Sequence, residues 1–192
     1  NVGHSPMRKH FKARFPALNV CRHNEPVATD TVFSDTPAID SGVTAAQFYV
    51  GTKSYFCDVY PMAAETDEAF IRTLKENIRK WGAMDKLISD QGSNETSKAV
   101  RDVLCQYVID DWRSEAGHQH QNFAEGIYGT VKAKTNCTMH ACGCPANLWL
   151  LCLTWVIFVL NHTANIHLAW RTPAEKVNGY TPDASIIAMF PF

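Results

Sequence analysis

Between Leu148 and Leu160 the chain carries one polar residue, Thr154, in a run otherwise made of Leu, Trp, Cys, Val, Ile and Phe. A bilayer span needs about 20 such residues, so this run predicts a buried helix with no membrane contact. It leaves no polar stripe at helical period, and a helix that is apolar all round needs cover on several sides. The rest of the chain must therefore supply a layer to pack on it. A second copy of the chain is one further cover, which predicts a homo-oligomer, dimer or higher. Residues 168–192 folding back, with Trp170, Phe190 and Phe192 as a plug, are the other.

The layer is legible upstream. Thr31–Thr36, Ala45–Val50 and Tyr55–Met62 are rich in β-branched and aromatic residues, with Gly51 between the last two, and read as an antiparallel meander. The period then changes. Thr66 can cap a helix whose stripe is Phe70, Ile71, Leu74, Ile78 and Trp81, and Gly82 stops it. Lys86–Ser89 reads as a short buried strand ending at the turn sequence Asp90-Gln-Gly-Ser-Asn94. A helix from about Thr96 to Tyr107 follows, with Ala99, Val100, Val103, Leu104 and Tyr107 inward, then a fifth strand over Val108–Trp112. A third helix starts near Asn122, before the apolar one. This order predicts an α/β fold with a mixed five-stranded sheet and helices on its faces. Residues 1–29 read as an extension, punctuated by Phe15-Pro16 and Glu25-Pro26; 30–166 form the folded core and 167–192 a C-terminal extension.

Charge is informative only locally. The net charge is −1, but residues 1–24 hold Arg8, Lys9, Lys12, Arg14 and Arg22 without one Asp or Glu, an arm that attracts phosphates. Seven cysteines, an odd number partly inside apolar runs, fit reduced thiols better than a disulfide framework. Cys137, His140, Cys142 and Cys144 crowd too closely to close a zinc tetrahedron, and His4, His10, Cys21 and His23 lack the paired cysteines of a zinc module. Asp111, Ser114 and His118 do not make a hydrolase triad, because no G-x-S-x-G elbow holds the serine. His118 and His120 precede the third helix and read as surface histidines.

Three acids stand where chemistry gathers. Asp35 is expected within the first strand, sharing a face with Phe33; Asp30 at its edge and Asp40 in the Gly42 turn are the alternatives. Asp90 ends the strand after the first helix, the end at which open α/β sheets collect ligands. Glu125 lies in the first turn of the third helix. At 100° per residue Gln121, Glu125, Gly129 and Lys132 share one face, while Ala124, Ile127 and Val131 turn to the sheet. Lys132 on that face can meet a phosphate, and Gly129 can let a backbone approach. Carboxylates so placed suit hard divalent cations, and two ions about 4 Å apart suit phosphoryl transfer.

Asp90-Gln-Gly-Ser-Asn94 resembles the D-N-G-S-N segment of retroviral and retrotransposon integrases, and His120-Gln-Asn-Phe-Ala-Glu125 resembles their Q-N-G-x-A-E segment. The spacing from Asp90 to Glu125 is close to theirs. Leu168-Ala-Trp-Arg-Thr-Pro173 and Gly179-Tyr-Thr-Pro-Asp183 are similar to the stretch that follows the core in copia-type elements. The likeness covers roughly residues 31–185. It implies a ribonuclease-H-like fold and an integrase catalytic core over 30–166 that processes DNA 3′ ends and transfers strands. It further implies two Mg²⁺ or Mn²⁺ ions on Asp35, Asp90 and Glu125, with Gln121, Lys132 and Asn94 on DNA. Its setting would be the nucleus, with a cytoplasmic particle stage. Gly126, where the family usually has a larger polar or basic residue, departs from the pattern. A decayed or domesticated copy acting as a DNA-binding or assembly module, or a ribonuclease H, are the alternatives.

Overall fold

The computed structural model describes residues 19–90, 97–113, 123–183, 185 and 187. Five strands form one sheet in the order β3-β2-β1-β4-β5: β1 (Arg22–Phe33), β2 (Ala45–Gly51), β3 (Cys57–Met62), β4 (Ala83–Ser89) and β5 (Asp110–Arg113). The first three are antiparallel neighbours; β4 pairs parallel with β1, and β5 parallel with β4. The helices are α1 (Asp67–Trp81), α2 (Lys98–Tyr107), α3 (Phe123–Cys142), α4 (Trp149–Asn161) and α5 (Pro173–Asn178). This is a mixed α/β sheet with helices on both faces.

Local chemistry sets most element ends. Thr66 caps α1, its side chain accepting from the Ala69 amide, with Asp67 and Glu68 at the positive end and Arg79 and Lys80 at the other. Gly82 ends the helix at φ 98°, where a Cβ would lie 2.7 Å from the Cys21 carbonyl oxygen. The chain thus enters β4 at once, at Ala83 rather than at Lys86. Ser97 caps α2, and Ala99 lies exposed rather than inward. Val108, expected in the fifth strand, is the left-handed cap of α2 at φ 54°.

The largest departure is at β1. The expected start at Thr31 and the expected boundary at residue 30 both fall inside a strand that begins at Arg22. Glu25-Pro26, read as a break, sits inside it. Pro26 cannot donate to a ladder, and the β1–β4 register shifts between His23 and Pro26 to accommodate it. The central strand is therefore built largely from residues assigned to the extension.

Alternation along the strands sorts the core into two layers. Val27, Tyr49 and Leu87 pack under α1 and α2 with Phe70, Leu74, Ile78, Val100 and Leu104. Ala28, Val32, Phe48 and Val50 pack under α3 and α4 with Ala124, Val131, Leu153, Val156 and Ile157. The stretch Ala146–Leu168 is long and apolar enough to cross a bilayer, yet α4 is only 13 residues of it, and short 3-10 turns lie before and after. One side of α4 is buried on the sheet, and Asn161 at its end ties it to β3, accepting from the Cys57 amide and donating to the Cys57 carbonyl. Leu151 is exposed and Trp155 and Phe158 are half-buried, so cover is incomplete along one stripe. Phe190 and Phe192 of the expected plug lie outside the described residues, and Trp170 is 69% exposed.

Candidate active site

The parallel pairing of β1 and β4 sets Pro26 beside Lys86, Val27 beside Leu87 and Ala28 beside Ile88. Carried two residues further, one past the end of β4 at Ser89, the same register would set Asp30 beside Asp90. Asp30 shares its parity with Ala28 and Val32 and so belongs to the face that packs under α3, and Asp90, just past the end of β4, is close enough for its charge to act on Asp30. The first turn of α3 carries Glu125. Ala124 and Val131 seat that helix on the sheet, Ile127 is half-buried, and Glu125, Gly129 and Lys132 lie on its exposed side. Two strands and a helix thus bring three carboxylates to one region beyond the end of β4.

Electrostatics reports their proximity. The half-buried Asp30 carboxyl is pushed up to about 6, first by burial, then by the charge of Asp90, with Glu125 adding to it; a hydrogen bond from the Thr31 amide opposes the rise. Among the described residues no lysine, arginine or histidine forms an ion pair with Asp30. Tyr128, one turn beyond Glu125, has its phenol pushed up by burial and by Asp30, and its ring packs 5.8 Å from that of Phe48. Three acids drawn together, the half-buried Asp30 with the exposed Asp90 and Glu125, carry like charge that a divalent ion would relieve. Their all-oxygen donors suit Mg²⁺ or Mn²⁺ better than zinc. Among the described residues no three His, Cys, Asp or Glu side chains are already drawn up as a metal cage.

Asp35 is not part of this set. It follows β1, in the bend after Phe33, and is exposed. Its parity would in any case place it with Phe33, opposite Asp30. Of the candidates for the first acidic position, Asp30, given as an alternative to Asp35, is the one that lies on the face under α3. Alternation was the signal that could have found it: Ala28, Asp30 and Val32 form one row, visible once Pro26 is allowed inside the strand. Asp40 lies exposed in the turn that Gly42 closes, hydrogen-bonded to Ser41. Asn94, Gln121, Ser114, His118 and His120 lie outside the described residues. Lys132 lines a cleft of about 90 Å³ with Phe33, Ser34, Tyr128, Asn136 and Trp149. The cysteines are all free thiols, and Cys137, His140, Cys142 and Cys144 assemble no metal group.

Neither protein-family models nor curated protein sequences give a match to this chain.

Proposed function

We propose that the chain is the catalytic core of a DNA integrase, a polynucleotidyl transferase of ribonuclease-H-like fold, working through Asp30, Asp90 and Glu125. The observation that carries this reading is geometric: Asp30 lies on the sheet face under α3, the β1–β4 pairing runs toward Asp90, and the first turn of α3 carries Glu125. The sheet order, with three antiparallel strands followed by two parallel ones, supports the fold. The segment motifs around Asp90 and Glu125 support the reaction class.

Bound Mg²⁺ or Mn²⁺ would supply charge neutralisation at a phosphodiester and a more acidic attacking hydroxyl. Asp30 and Asp90 offer oxygens from adjacent strands, and Glu125 offers them from the helix above. Lys132, two turns along α3 from Glu125, faces solvent where a DNA backbone can approach. Gln121 and Asn94 are proposed as further DNA contacts on their sequence motifs alone. The partly uncovered stripe Leu151, Trp155 and Phe158 on α4 supports a homodimer, which joining two DNA ends would use. Light scattering of the full chain at rising concentration tests it: mass doubling supports the dimer, and a monomer throughout removes it.

The reaction is tested by strand transfer with a labelled duplex and Mn²⁺. Asp30→Asn should lower the rate on the order of 10³-fold, as loss of a main electrostatic group does. Asp35→Asn should leave it within about twofold. Equal loss in both variants, or in neither, overturns the assignment of Asp30. The alternative of a non-catalytic DNA-binding module draws on the absence of a drawn-up metal cage among the described residues. Wild-type protein that binds DNA but neither binds Mn²⁺ nor joins strands would establish it.

A further inference from the structure

At the other end of β1 lies a second pocket, of about 310 Å³, walled by Arg22, His23, Glu25, Lys53, Ser54 and Lys176. We propose that it is a phosphate-binding site, separate from the carboxylate centre, that takes a phosphodiester of bound nucleic acid.

Three elements far apart in sequence build it: the start of β1, the β2–β3 turn and α5. Glu25 is 5% exposed, and its carboxylate accepts from the backbone amides of Lys53 and Ser54, both at 2.8 Å, and from the Ser54 hydroxyl at 2.6 Å. His23 Nε2 lies 2.6 Å from the same carboxylate. Glu25 is thereby consumed internally. Gly51 makes this possible, since a Cβ there would sit 2.5 Å from Glu25 Oε1 and 2.4 Å from Ser54 Oγ. The turn that presents Lys53 is thus locked before any ligand arrives, which lowers the ordering cost of binding.

The wall is electropositive. Arg22, Lys53 and Lys176 are set against the single carboxylate Glu25. Arg22 is held by the carbonyls of Tyr107 and Val108 at 2.6 and 3.0 Å, with Asp85 at 3.9 Å, so its charge is fixed in place and only loosely balanced. Among the described residues neither Lys53 nor Lys176 forms an ion pair. Cations gathered from three elements around one cavity suit a compact polyanionic group.

The position favours a nucleic-acid backbone as the source. Asp30 lies five residues beyond Glu25 on β1, roughly 17 Å at about 3.3 Å per residue. At about 3.4 Å per base pair a duplex of about 20 base pairs is about four times as long, so one nucleic acid is long enough to reach both.

The experiment has two arms, both in EDTA, so that neither depends on strand transfer. Inorganic phosphate is titrated at fixed ionic strength while the backbone amide signals of Lys53 and Ser54 are followed. A duplex of about 20 base pairs is titrated at several salt concentrations. Wild type is compared with Lys53→Gln/Lys176→Gln, whose exposed side chains leave folding untouched, and with Asp30→Asn. The double variant should lose phosphate affinity at least tenfold, and its salt slope should be shallower by between about one and two, since each phosphate contact contributes about 0.9. Asp30→Asn should bind phosphate like wild type, so failure of the pocket is distinct from failure of the proposed reaction. Lost phosphate affinity with an unchanged duplex slope retains the anion site and identifies free phosphate as its ligand. Wild-type amides indifferent to phosphate, or a double variant matching wild type in both arms, overturn the site.

Discussion

Adjacent residues of β1 carry two polar clusters on opposite faces of the sheet, and the clusters behave oppositely. On one face Thr29, Gln47 and Thr31 form a closed chain. The Thr29 hydroxyl donates to the Phe48 carbonyl at 2.8 Å, the Gln47 amide donates to Thr29 Oγ1 at 2.7 Å, and Thr31 donates to Gln47 Oε1 at 2.8 Å. Thr29 and Gln47 are fully buried, yet neither is charged and their hydrogen bonds are made. On the other face Asp30 meets Asp90 and Glu125, groups of its own sign. The first cluster lowers the energy of the fold by satisfying itself. The second raises it, and a fold retains such a set where a cation or a reaction uses it. Burial of polar atoms alone does not mark a site; like charges drawn together do.

The sharpest way to break this comparison is to neutralise one residue on each face. Asp30→Asn should abolish the response of the protein to Mn²⁺, read as loss of metal-induced stabilisation in thermal melts, while the fold persists. Thr29→Val should keep the Mn²⁺ response and lower stability by about 1–3 kcal/mol, because Gln47 is left with an unmet buried donor. Urea titration measures the second effect. Two variants that lose the same property would show that the faces do not differ in kind.

The next effect is smaller and lies in pH. Asp30 is raised from an ordinary 3.8 to about 6 in the fold, so the folded state takes up its proton first. Its contribution to stability is therefore gained as pH falls from about 6 to 3.8, and it is absent above that window. Discounted for its remaining exposure, the gain is on the order of 1–2 kcal/mol. Glu25 acts the other way. Its carboxyl is held at about 2 despite burial, by hydrogen bonds from His23, Ser54 and Lys53, so its stabilisation is present above 4.5 and lost as pH falls towards 2. Melting temperatures of wild type minus Asp30→Asn should thus rise between pH 7 and 4. A flat difference would mean that Asp30 titrates alike in folded and unfolded chains.

The smallest effect concerns the helix that carries Glu125. Gly126 and Gly129 are exposed in α3, and a Cβ at either meets nothing within 4 Å. Neither glycine is required by packing. Gly126→Ala should stabilise the chain by up to about 1 kcal/mol, measurable by urea titration, with the Mn²⁺ response intact. Destabilisation would show a need for backbone freedom at the start of α3.

Much of this arrangement is legible in the sequence, and the exceptions share one cause. The stripe Phe70, Leu74 and Ile78, with Thr66 and Gly82 at its ends, predicts α1 because period and caps agree. Asp90 and Glu125 stand out because turn residues or a helix start surround them. Asp30 ranks behind Asp35 in the sequence because Pro26 looks like a terminator when it is read locally, which puts Asp30 at the strand's edge. Only the pairing with β4, a contact between distant segments, shows that the strand absorbs Pro26 at a register shift. The same long-range contact decides which of Asp30 and Asp35 meets Asp90. A lone aspartate in a β-rich run does not reveal its face until the strand's start is known. The pocket around Glu25 was invisible for a related reason, since Lys53 and Lys176 approach only through tertiary packing.

The central claim is that Asp30 shares one electrostatic site with Asp90 and Glu125. It is tested most directly by following side-chain carboxyl carbons of labelled aspartate by NMR against pH, in wild type and in Asp90→Asn, without metal. The carboxyl of Asp30 should titrate near 6 in wild type and move down in Asp90→Asn, while remaining above 3.8 because burial persists. An Asp30 that titrates near 3.8 and ignores the substitution, with Asp35 responding in its place, would contradict the account.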